Sequence, residues 1–143
     1  MKNSILFLAI FVLTGFASCK KIINTSDNQA KLITEKKWKL TVYTEGGVDM
    51  LHTVYEECDL DDITVYHANG IVETSSGQMK CDPADIEITS ARWTLKNSLL
   101  TVGGDEIDEQ LQFTVVEISS TTLRLTLKDP FSNEILGYTF KAQ

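Results

Sequence analysis

The sequence predicts an all-β domain, a small antiparallel up-and-down β-barrel of about eight strands, preceded by a signal peptide and a short tether. Three observations predict it. From Trp38 onward the apolar period is two rather than 3.6, as in Trp38-Lys39-Leu40-Thr41-Val42 and Leu123-Arg124-Leu125-Thr126-Leu127. Compact turn signals separate the apolar runs: Gly46-Gly47, Asn69-Gly70, Asn97-Ser98 and Ser119-Ser120. No strongly helical segment lies between them. Tight connections between consecutive strands imply a meander, and a meander of eight strands removes its exposed edges by closing on itself. A two-sheet sandwich is the alternative.

The chain opens with one positive charge in Met1-Lys2-Asn3, followed by an uncharged run from Ile5 to Leu13. This is the n-region and h-region pattern of a secretory signal. The run is too short to cross the hydrocarbon core, which takes about 20 residues. Phe16-Ala17-Ser18-Cys19 resembles the bacterial lipobox, in which small residues lead into a cysteine. That resemblance implies removal of residues 1–18 and a lipid on the Cys19 thiol, which anchors the chain to a membrane through buried acyl chains. Residues 19–30 are mostly polar and read as a flexible tether, with one or two helical turns over Asp27 to Ile33 capped by Ser26 or Asp27.

Residues 31–143 suffice for one domain with one core. Strands are expected over Trp38 to Val42, whose apolar residues alternate with Lys39, Thr41 and Tyr43, and over Asp62 to Ala68, with Ile63 and Val65 inward and Thr64 and Tyr66 outward; Val48 to Tyr55 is ambiguous, an edge strand being one reading. Asn69-Gly70, both residues tolerant of positive φ, turns the Asp62 to Ala68 strand into Ile71 to Thr74. Ala91 to Lys96 carries Trp93 and Leu95 on one face and returns through Leu99 to Val102. Gln110 to Ile118 is long. Asp129-Pro130 ends the Leu123 to Leu127 strand, and Ile135 to Lys141 closes the chain with Tyr138 and Phe140 on one face.

The net charge is −7, from 13 basic and 20 acidic residues. An acidic chain without a Lys/Arg stripe repels phosphate backbones, which excludes nucleic acid as a partner. With Cys19 lipidated, Cys58 and Cys81 remain in a chain that has left the reducing cytosol, and a disulfide between them is the default reading. Two cysteines without CxxC spacing, together with His52 and His67, do not make a zinc site. No cofactor is implied.

Two acidic groups are candidate calcium ligands: Asp59, Asp61 and Asp62, and Asp105, Glu106, Asp108 and Glu109. Neither has EF-hand spacing, and the plainer reading is a solvated loop whose aspartates cap their own turns. His67 lies beside a turn with no serine or cysteine nucleophile assignable to it, so no enzyme is expected.

Cys58-Asp59-Leu60-Asp61-Asp62-Ile63-Thr64-Val65-Tyr66, then Asn69-Gly70, Cys81, Trp93-Thr94-Leu95 and Leu99-Leu100 together resemble the lipocalin-like domain of Bacteroidetes lipoproteins. Glu35-Lys36-Lys37-Trp38-Lys39-Leu40 is similar to the first strand of lipocalins, with Lys36 where these usually carry glycine. The resemblance covers roughly residues 32–141. It implies a small up-and-down barrel with a bridge matching Cys58 and Cys81, and it supplies no established chemistry. In such lipoproteins acidic residues after the lipidated cysteine tend to mark surface export. Lys20-Lys21 stands there instead, so the expected location is the outer membrane facing the periplasm.

Two functional readings stay open. In one, the barrel holds a small apolar ligand non-catalytically in a cavity of at least ~300 Å³, lined by Trp38, Trp93, Phe113 and Tyr138. In the other, those tryptophans plug the barrel, the interior is filled, and an apolar outer patch engages an envelope protein.

Overall fold

The structure, a computed structural model, describes residues 26–84, 86–104 and 110–143. A helix α1 (Ser26–Thr34) precedes β1 (Lys37–Glu45), a two-residue β2 (Val48–Asp49) and a single helical turn α2 (Leu51–Val54). Then follow β3 (Ile63–Tyr66), β4 (Ile71–Ser75), β5 (Ile88–Lys96), β6 (Leu99–Gly103), β7 (Gln110–Ile118), β8 (Thr122–Lys128) and β9 (Ile135–Ala142). Consecutive strands from β3 to β9 pair antiparallel, and β1 pairs with both β3 and β9. The β1–β9 pairing runs from Trp38↔Ala142 to Glu45↔Leu136. It shuts the meander into an eight-stranded barrel and excludes the sandwich.

Two bulges decide which side chains enter the barrel. In β1 the register shifts between Leu40 and Val42. An extra residue reverses the alternation beyond it, so Trp38 and Leu40 face in but the next inward residue is Tyr43. A strict alternation places Val42 on the same face as Leu40; the bulge turns it out. The β7 register shifts between Val115 and Glu117, and Ile118 is buried where an unbroken period exposes it.

In β3 the expected faces are exchanged. Thr64 and Tyr66 look inward, opposite Thr74 and Val72 of β4, and Ile63 and Val65 stay half-exposed. The Trp38↔Thr64 pairing sets this phase, because directly opposed residues point to the same face.

The turns follow local chemistry. Asn97 (φ 50°) and Ser98 (φ 64°) both adopt positive φ, the requirement of a tight type I′ hairpin. At the β3–β4 turn only Gly70 does (φ 84°), while the Asn69 side-chain oxygen accepts the Ile71 N–H at 3.1 Å. The expected edge strand over Val48 to Tyr55 shrinks to β2. The Asp49 carboxylate accepts the Leu51 N–H at 3.0 Å, which turns the chain into α2 and buries Leu51.

Helix α1 (Ser26–Thr34) closes one end of the barrel. Ile33 is buried in the core cluster with Trp38, Trp93, Leu100, Ile118 and Leu123. The Trp38 indole N–H donates to the Ile33 carbonyl at 2.9 Å, satisfying an acceptor in the last helical turn that has no intrahelical partner. Buried Gln29 exchanges hydrogen bonds with the Ser98 hydroxyl of the β5–β6 turn, at 3.2 and 3.3 Å.

Replacing Trp38 by phenylalanine removes this donor and leaves a void in a fully buried site. We expect a loss of about 2–4 kcal/mol, read as a lower urea midpoint at unchanged m-value. Lys39→Ala, on the outer face, should stay within about 0.5 kcal/mol of the parent.

Candidate ligand cavity

The barrel has two unlike ends. Helix α1 and the turns at 67–70, 97–98 and 119–121 occupy one; the chain between β1 and β3, the β4–β5 loop and the β8–β9 loop stand at the other, the mouth. Side chains nearer α1 fill the interior, whereas those nearer the mouth leave a cavity of about 510 Å³. The boundary shows on β1, β5 and β7. Leu40 lines the cavity and Trp38 does not; Ala91 does and Trp93 does not; Phe113 does and Ile118 does not.

Of the four aromatic residues expected to contact a ligand, the structure therefore brings Phe113 and Tyr138 to the cavity. Trp38 and Trp93 lie outside its lining. Their size suits them to the closed end, and each spends its indole N–H on a backbone carbonyl, Trp38 on Ile33 and Trp93 on His67 at 3.0 Å. Side chains fill the interior in this half of the barrel and leave the cavity in the other.

The pattern missed three lining aromatics, Tyr55, Tyr66 and Phe140. Tyr55 fell in the ambiguous segment before β3. Alternation from Ile63 puts Tyr66 outward, and the Trp38↔Thr64 pairing turns it in. Phe140 shares the face of Tyr138 and was readable from that alternation.

Rings cluster at the mouth. Tyr43 meets Tyr55 edge-on with centroids 5.4 Å apart and Tyr138 at 5.1 Å; Tyr138 meets Phe113 edge-on at 5.7 Å. The Tyr43 hydroxyl donates to Glu45 at 2.8 Å. Burial raises all four phenols above the usual tyrosine range, helped at Tyr43 by Glu45 and at Tyr55 by Asp59. Tyr138 is pushed up to about 12 by burial and by Tyr55. An acid whose folded pKa is raised stabilises the fold below its unfolded value and loses that contribution as pH rises. Stability should therefore fall from about pH 10 upward, with buried Tyr66 contributing roughly 1.4 kcal/mol per pH unit. A tyrosinate absorbance titration should show little ionisation before the unfolding transition.

The mouth is held by a clamp between two loops. Cys58 and Cys81 are joined in a disulfide. Asp61 accepts the N–H groups of Gln78 and Met79 at 2.6 and 3.1 Å, and Asp62 accepts that of Gly77 at 3.2 Å. A Cβ at Gly77 would overlap the Asp61 carboxylate, so this approach requires glycine. Only Asp59 serves its own turn, accepting the Glu56 N–H at 2.9 Å; Asp61 and Asp62 reach across to the bridged loop instead. Asp105, Glu106, Asp108 and Glu109 lie outside the described residues. Glu56 stands beside the bridge, but both sulfurs are consumed in it and offer no thiolate to a metal.

His67 is away from the cavity, paired with Glu73 at 2.9 Å on the β3–β4 hairpin. Exposed apolar side chains gather around the mouth, including Phe131, Ile86 and Val48. Removing the bridge with Cys58→Ser and Cys81→Ser should cost about 3 kcal/mol by loop entropy, measured by urea unfolding against the oxidised parent.

The family described as the lipocalin-like domain matches residues 34–125, and the chain belongs to it. Among solved structures, the chain is similar to a lipocalin-like protein from Bacteroides uniformis at 15% identity. The match covers 74% of this chain and 94% of that one, with a TM-score of 0.48. No curated protein matches the chain.

Proposed function

We propose that this chain is a membrane-anchored binding module that holds a small apolar ligand, without catalysis, in the mouth half of its barrel. The observation that carries the reading is the cavity of about 510 Å³. Its size falls in the range of small-molecule pockets, about 300–1,000 Å³, and Leu40, Val72, Val102, Phe113, Leu125 and Phe140 give it an apolar surface. The alternative, an envelope interaction protein, rests on a filled barrel, and the mouth half is not filled.

The anchor is the lipid on Cys19, for which Phe16-Ala17-Ser18-Cys19 speaks, and residues 1–25 lie outside the described residues. Lys20-Lys21, with no acidic residue beside Cys19, favours the periplasmic face of the outer membrane. Six residues separate Cys19 from α1, a reach of at most ~25 Å. Because α1 closes the far end of the barrel, such a tether holds the domain by its closed end and presents the mouth to the periplasm.

The test is binding of N-phenyl-1-naphthylamine, a neutral apolar dye that brightens in apolar surroundings. The parent should bind one dye per barrel. Ala91→Phe, which puts a ring into the cavity, should weaken binding at least ~10-fold with the thermal midpoint unchanged or raised. Equal binding by the folded variant and the parent contradicts the cavity as the site.

A further inference from the structure

The polar part of the cavity lining has a definite sign. Among the described residues that line it, two are charged, Asp59 and Asp62, both carboxylates at the mouth; no lysine, arginine or histidine lines it. Both carboxylates are fixed by backbone N–H groups, of Glu56 and Gly77, so they do not swing away. A third, Glu45, is tied to Tyr43 at the same end. Tyr55, Tyr138 and Phe113 line the same cavity, and Tyr43 packs on Tyr55 and Tyr138. Aromatic faces and carboxylates attract cations and disfavour anions in partly desolvated surroundings.

A second, independent observation concerns Tyr66. Its side chain is 5% exposed, yet it lines the cavity, and its hydroxyl has no hydrogen-bond partner among the described residues. The hydroxyl is not among the sealed polar atoms of the core, so it opens onto the cavity. Burial holds it in the protonated form, so it stands as a donor awaiting an acceptor atom inside the cavity.

We infer that the ligand is an organic cation: an apolar body that fills the cavity, with a protonated amine or quaternary ammonium group held at the mouth between the tyrosine cluster and Asp59 and Asp62. An oxygen or nitrogen within the body accepts the Tyr66 hydroxyl. This deepens the cavity reading proposed above and rests on it. The net charge of −7 adds a field that draws cations toward the protein and slows anions.

Three probes of equal chain length separate the terms: decyltrimethylammonium, decanol and decanoate, each titrated calorimetrically below its micelle threshold into the oxidised protein. The ammonium should bind at least ~10-fold tighter than decanoate, with decanol between them. Asp59→Asn together with Asp62→Asn keeps an oxygen acceptor for both backbone N–H groups while removing the charge. It should bring the ammonium-to-decanoate ratio to within about threefold and leave decanol unchanged. Tyr66→Phe should weaken decanol by roughly 3–10-fold. Equal affinity for ammonium and decanoate overturns the charge preference alone, and so does an ammonium affinity that survives Ala91→Phe, which marks surface adsorption. Failure of all three probes to bind overturns the cavity reading as well.

Discussion

The molecule depends on one pairing, that of β1 with β9. It runs the length of β1, whereas β1 meets β3 only at Lys37 and Trp38. The first strand thus spends its hydrogen bonds closing the barrel against the last and barely joins its neighbour in sequence. Beyond Trp38 the wall between β1 and β3 parts, and the chain linking them enters that region with α2 and Tyr55. The bulge between Leu40 and Val42 then delivers Tyr43 into the interior, where it packs on Tyr55 and Tyr138. Remove the bulge and the mouth loses the centre of its aromatic cluster.

From this closure follows a division of labour along the barrel axis. At the α1 end, large side chains meet around Ile33, Trp38, Leu100 and Leu123, all fully buried, and the polar groups of Gln29, Trp38 and Trp93 are bonded. That half carries the stability. Toward the mouth the inward positions include Thr64, Thr74, Thr89 and Ala91, too small to meet across the interior. An empty apolar cavity forfeits dispersion contacts, so a sequence selected for stability alone would enlarge these residues. The disulfide and the Asp61 and Asp62 bonds keep the surrounding loops from collapsing into the space. A stiff mouth around an unfilled interior is the arrangement of a preorganised binding site.

Much of the fold was legible in the residues. Period-two alternation and turn signals gave the strand order, and the cysteines gave the bridge, because these are local or pairwise features. The errors share one cause. Alternation tells which residues share a face but not which face is inside, and it cannot see a bulge. Val42, Tyr43, Thr64 and Tyr66 face opposite to strict alternation for this reason, since their orientation is set by cross-strand partners distant in sequence. The same limit split the candidate site: Phe113 and Tyr138 reach the cavity, while Trp38 and Trp93 serve the core. Nothing in a tryptophan's neighbours says how far along the barrel axis it sits. Asp61 and Asp62 were readable as turn caps, but their true partners lie on the bridged loop.

The central claim is that the mouth half of the barrel exists to hold a small molecule. Native mass spectrometry of the protein taken oxidised from the envelope of its own cell tests it most directly. The account predicts one small molecule per barrel that leaves on collisional activation, its mass compatible with a cavity of about 510 Å³. A barrel that arrives bare from the native envelope, and remains bare at high protein concentration in the same extract, contradicts it.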